Sequence, residues 1–154
     1  MILMQTHDMG LVKEILIHPS IWKHIHDDSV TEANPIDCDG VYWMLVIDDK
    51  PLGVFMVHHI NSVCFQMHTC LLPDIWGNRS NDAAQMLLKW AFTETDCEKM
   101  TTLIPSYNRL AERFAKKNGM VIEGVNRKSF KKDGHLIDQI MMGITKEEWE
   151  SCQH

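Results

Sequence analysis

Residues 71–92, LLPDIWGNRSNDAAQMLLKWAF, constrain this chain more than any other stretch. An apolar run ends at Leu72, a Pro-Asp-x-x-Gly turn follows at Pro73 to Gly77, and apolar residues recur at Ala84, Leu87, Leu88 and Ala91 with the spacing of a helix face. A strand that runs through a tight turn into an amphipathic helix presents the first N–H groups of that helix without intrahelical partners. This is the layout of a phosphate cradle.

The rest of the pattern alternates around that unit. Asp8 to Ile17 places Met9, Val12, Ile15 and Leu16 on one helical face, and Pro19 suits the first turn of a short helix over Ser20 to His26. The polar stretch Thr31 to Asp39 reads as a loop. Apolar runs at Tyr42–Ile47, Leu52–Ile60 and Val63–Cys70 predict a three-strand antiparallel meander. A helix over Asn81–Thr93, a strand at Thr101–Ile104 and a helix over Tyr107–Asn118 come next. Strands Val121–Phe130 and Leu136–Gly143 follow, joined by the Asp133-Gly134 turn as a hairpin. The expected fold is a mixed α/β sheet with helices on both faces, one domain over residues 1–154. Its expected core includes Leu45, Val54, Met56, Leu87, Leu103, Phe114 and Ile140.

Composition narrows the classes of function. The formal charge of −6 argues against nucleic-acid or anionic-membrane partners, which attract clustered Lys and Arg, and is more compatible with a cationic substrate or a protein partner. No apolar run is long enough for a membrane span, and MILMQTHD lacks the regions of a signal peptide, so a cytoplasmic protein is expected. The 5 cysteines include no C-x-x-C pair and read as reduced thiols. The adjacent His58 and His59 would point to opposite faces of a strand, so no metal site is expected.

The second informative segment, YNRLAERFAKKNGM at Tyr107 to Met120, opens a helix at Asn108 and closes it at Gly119. With residues 71–92 and the order of elements, it resembles the GNAT superfamily of N-acetyltransferases. The spacing of Asn108, Ala111 and Gly119 is similar to that of the ribosomal-protein-acetylating branch. The resemblance implies an acyl-CoA-dependent N-acyltransferase that uses acetyl-CoA and acts on an amine of a small molecule or protein. It also implies that the fourth strand splays from the fifth to admit the pantetheine arm, with a Q/R-x-x-G-x-G/A turn around the diphosphate. On that basis the cofactor would meet backbone at Cys70, Leu71 and Leu72, the turn Trp76, Gly77, Asn78, Arg79, Ser80 and Asn81, and the side chain of Asn108.

The turn departs from the family pattern: Trp76 stands at the Gln/Arg position, and Arg79 and Asn81 at the two small-residue positions. Two readings stay open. Arg79 could replace close backbone approach by a charge-assisted contact to phosphate. Alternatively Ser80 or Asn81 is an N-cap and Asp82 a first-turn acid that would repel a diphosphate. For chemistry, alternation groups Gln66, His68 and Cys70 on one strand face, making His68 the candidate general base and Cys70 a conceivable nucleophile beside it. The family's tyrosine four residues before the glycine is Ala115 here, which leaves Tyr107 and Ser106 as nearby substitutes for the acid. The chain also looks like small GNAT-like proteins of tailed bacteriophages, some linked to head assembly. A catalytically inactive, protein-binding or assembly role is therefore the alternative.

Overall fold

The computed structural model describes residues 1–153. Seven strands form one sheet in the order β1-β2-β3-β4-β5-β7-β6. β1 (Ile2–Gln5), β2 (Val41–Ile47), β3 (Pro51–His59) and β4 (Cys64–Leu71) are antiparallel neighbours. β4 pairs in parallel with β5 (Lys99–Pro105), which is followed across the sheet by the hairpin β6 (Val121–Lys132) and β7 (His135–Thr145). The meander and hairpin predicted from the sequence are both present, and helices cover both faces.

Strand alternation separates the two layers. Trp43, Leu45, Val54 and Cys70 face α1 (Met9–Leu16) and α2 (Pro19–Ile25), where they pack with Val12, Ile15, Leu16 and Ile21. Met44, Val46, Phe55, Phe65, Met100 and Met142 face the other way. They pack against α3 (Asn78–Glu94), α4 (Arg109–Lys117) and α5 (Lys146–Ser151). Of the expected core, Leu45, Val54 and Leu87 are fully enclosed, whereas Met56, Leu103, Phe114 and Ile140 are only half-buried. Leu103 and Phe114 are half-buried because they line a cleft. Phe92, 1% exposed and packed against Trp149, is the better test of the core. Phe92→Ala should cost about 3–5 kcal/mol in urea denaturation, and a loss below about 1 kcal/mol would mean that this layer is loosely packed.

Three elements lie outside the expected pattern. β1 is a short edge strand with mostly exposed side chains, so it carries little alternation. The turn Pro73–Ile75 is a single 3₁₀ turn. α5 begins at a capping box in which Thr145 and Glu148 satisfy each other's backbone N–H.

α3 starts three residues earlier than expected. Its N-cap is Gly77 at φ +101°, and no side chain caps it. Asp82 is therefore not in the first turn, which contains no acid. Ser80 donates its hydroxyl to the Gly77 carbonyl at 2.6 Å instead of capping. The side-chain oxygen of Asn81 accepts from Asn118 Nδ2 at 3.1 Å. Asn118 is buried, and Gln85 links it onward to the indole of Trp149, so one polar chain ties α3, α4 and α5 together.

Candidate active site

The β4–β5 seam is paired only at Cys64↔Lys99, Phe65↔Met100 and Gln66↔Thr101. Beyond it the strands separate, with the hydroxyls of Thr101 and Thr102 bonded to the carbonyls of Phe65 (3.2 Å) and Met67 (3.1 Å) at the fork. The Leu71 carbonyl accepts from the Trp76 indole at 3.0 Å, whereas the next residue, Leu72, donates its backbone N–H back to Leu52 in β3. Backbone groups alternate in direction along a strand, so those of Thr69 face the gap with Met67 and Leu71 and have no strand opposite. An extended, amide-bearing arm can pair there much as a strand would.

A cleft of about 610 Å³ occupies the split. Met67, Thr69 and Leu71 line it from one parity of β4, and Gln66 and His68 from the other, so it passes through the sheet and opens on both faces. On the α3–α4 side it is walled by Trp76, Gly77, Ser80, Asn81, Asn108, Arg113 and Lys117. On the α2 side it is walled by Ser20, Ile21, His24 and Ile25, with Phe130 and Gln139 from the hairpin. Beside that opening the loop after α2 is tied to the hairpin: Asp28 accepts the backbone N–H groups of Asp133 (2.8 Å) and Gly134 (2.9 Å) at the hairpin turn. The Gly134 and Asp133 bonds hold the Asp28 carboxyl below its ordinary range.

The electrostatics divide along the cleft. On α4, Glu112 takes Arg109 (3.4 Å) and Lys116 (2.9 Å) as partners, leaving Arg113 and Lys117 to line the cleft. The uncapped start of α3 adds the partial positive charge of a helix N-terminus. His68 is half-buried, with its Nε2 3.3 Å from the Gln66 amide and 3.4 Å from His58 Nε2. Burial, aided by the neighbouring His58, pushes its pKa down to about 4. Its imidazole is thus neutral at physiological pH. His24 is lowered by burial and then by Lys23 and Lys132.

The expected site residues are distributed as follows. Leu71, Trp76, Gly77, Ser80, Asn81, Asn108 and His68 line the cleft. Asn108 caps α4, its Oδ1 accepting from Ala111 N at 3.2 Å, so its amide N–H groups are the ones left for a ligand. Asn78 is the exposed first residue of α3, and Arg79 is ion-paired with Asp48 at the β2–β3 turn. Cys70 lies in the α1–α2 core, where burial pushes its thiol up to about 12, which leaves no thiolate for nucleophilic attack. Leu72 packs against the same layer. Tyr107 stands outside the cleft lining with its ring centroid 6.5 Å from that of His24, and burial raises its pKa. The contributions of α2, Phe130, Gln139, Arg113 and Lys117 were missed from the sequence. The i, i+4 pairs Ser20–His24, Ile21–Ile25 and Arg113–Lys117 were the available signal.

A family model covers residues 17–154, nearly the whole chain. The chain belongs to that family, described as Protein of unknown function (DUF2824). No curated protein matches the DUF2824 chain in sequence. Among solved structures it is similar to spermidine N-acetyltransferase SpeG from Vibrio cholerae in complex with CoA and spermine. The TM-score is 0.81 at 15% identity, with 97% of each chain covered. A point mutant of the same Vibrio cholerae enzyme gives a TM-score of 0.80 at 16% identity, with 100% of each chain covered. At this identity the likeness establishes a GNAT-type acetyltransferase fold for the DUF2824 chain. Among its described residues no three His, Cys, Asp or Glu side chains gather as a metal site, and no helix is long and apolar enough to cross a membrane.

Proposed function

We propose that the chain is an acyl-CoA-dependent N-acyltransferase that takes acetyl-CoA as donor and an amine as acceptor. The observation that carries this reading is the cleft through the split sheet, with a bare strand edge on one wall and an uncapped helix start at one end. The residues fit the cofactor. Thr69 offers backbone to the pantetheine amides, Asn108 an amide, and the first N–H groups of α3 with Arg113 and Lys117 a cationic end for phosphates. Acetyl-CoA supplies an acetyl group activated as a thioester. The chain's own part is to thread the donor from the α3–α4 side, to admit the amine from the α2 side, and to place His68 where the two meet. The neutral imidazole of His68 accepts the proton shed by the amine nitrogen, and His58, 3.4 Å away, offers it an exit.

Arg79 bears on the cofactor end. Its exposed pair with Asp48 is worth about 0–1 kcal/mol, less than a charge-assisted contact to a diphosphate, so the cofactor can recruit it. Arg79→Glu should then weaken acetyl-CoA binding more than Arg79→Ala, and Asp48→Asn should not weaken it. Equal affinity of all three variants and the parent would place Arg79 outside the cradle. The direct test of activity is free-thiol release from acetyl-CoA in the presence of an amine panel. Release that depends on the amine supports the reading, and none with any amine contradicts it. The pairing of Arg79 away from the cradle favours the second reading, a GNAT-shaped protein-binding or phage assembly factor without turnover.

A further inference from the structure

The chain carries 21 Asp and Glu against 15 Lys and Arg, yet no carboxylate among the described residues lines the cleft. The charged side chains that do line it are Arg113 and Lys117. Where an amine would enter, the walls are Ile21, Ile25 and Phe130 with the uncharged polar groups of Ser20, Gln66 and Gln139 and with His24, whose protonated form is disfavoured by burial and the nearby Lys23 and Lys132. An ammonium in that place would be desolvated with no carboxylate in the lining, since Asp28 is occupied by the N–H groups of the hairpin turn, and a polyamine would meet that cost more than once. We infer that the acceptor is a weakly basic primary amine on an uncharged, largely apolar body, entering without its proton, and that polycationic amines are rejected. This rests on the acyltransferase reading and narrows its acceptor.

The proton balance agrees. With a neutral amine, the nitrogen lone pair forms the N–C bond, the C–S bond breaks, and the proton shed by nitrogen ends on the departing sulfur, so no side chain has to keep it. His68, with its pKa pushed down to about 4, suits a brief relay and is too weak to strip a strongly basic ammonium. At about pH 7.5 roughly a third of a peptide α-amine is neutral, against roughly one in a thousand of a lysine-type amine. Net charge alone pointed the other way, towards a cationic substrate. The local charge at the mouth decides, because screening hides acids on distant surfaces.

The test reads amine selection separately from the cofactor. Calorimetry with acetyl-CoA reports on the acyltransferase reading. Independently, ring-proton NMR of His24 and His68, assigned with His→Gln variants, follows titration of the protein with alanyl-alanine amide or with spermidine. Expected is saturable perturbation by the peptide amine at a concentration at least about tenfold below that needed with spermidine. Gln139→Glu should tighten spermidine binding about 3–10-fold by supplying the missing counter-charge. Spermidine binding as tightly as the peptide amine, perturbation by neither amine, or no gain from Gln139→Glu would overturn the inference.

Discussion

Replacing Gly53 with alanine is expected to lower stability by about 2–4 kcal/mol, and valine there should prevent accumulation of folded protein. Gly53 sits in β3 at φ +148°, a backbone conformation that side-chain-bearing residues rarely adopt. A Cβ at this position would lie 2.7 Å from the Cys70 carbonyl oxygen and 2.7 Å from the Leu71 Cα. Neither is the end of a flexible side chain, so the two strands must part. They would part at the end of β4 that forms the wall of the cleft, so a variant that survives should also lose affinity for acetyl-CoA. Urea denaturation of Gly53→Ala checks this. A change within error would mean that β3 and β4 tolerate a wider spacing.

The second large effect is at His68. If the chain transfers acyl groups, His68→Ala should lower turnover about 10²–10⁴-fold, the usual scale for a positioned proton acceptor, with acetyl-CoA affinity nearly unchanged. A fully active variant would place the proton acceptor elsewhere, with His58 beside it or His24 on the α2 wall next to test. The same side chain predicts a pH effect on stability. Its folded pKa of about 4 lies below the ordinary histidine value of 6.5, so the unfolded chain binds more protons between those limits. Stability is full above pH 6.5 and falls with acid down to about pH 4, by on the order of 3 kcal/mol from this group. His68→Gln should flatten that window, and an unchanged slope would show that His68 is not held neutral by the fold.

The sheet and its two helical layers were legible because their signals are local. Alternation in β2 to β4, the Asp133-Gly134 hairpin, and the Asn108 and Gly119 boundaries of α4 each sit within a few residues. The start of α3 was misjudged because Ser80 and Asn81 are strong capping types in isolation. In the fold they serve other partners: Ser80 the Gly77 carbonyl, Asn81 the buried Asn118, 37 residues away. Asn81 at a small-residue position thus has a structural reason, and removing Asp82 from the first turn removes the repulsion expected there. α5 had a readable signature, Thr145-x-x-Glu148, obscured because β7 runs directly into it. The cleft was half legible. His68 and the turn that leads into α3 follow from strand and turn pattern, but the α2 wall, Phe130 and Gln139 meet β4 only through tertiary packing, which no local periodicity reports.

Titration calorimetry of the unmodified protein with acetyl-CoA tests the central claim most directly. The cleft through the split sheet predicts saturable binding of one acetyl-CoA per chain in the submillimolar range. A folded protein that gives no binding heat and no shift in Tm up to millimolar acetyl-CoA would contradict it.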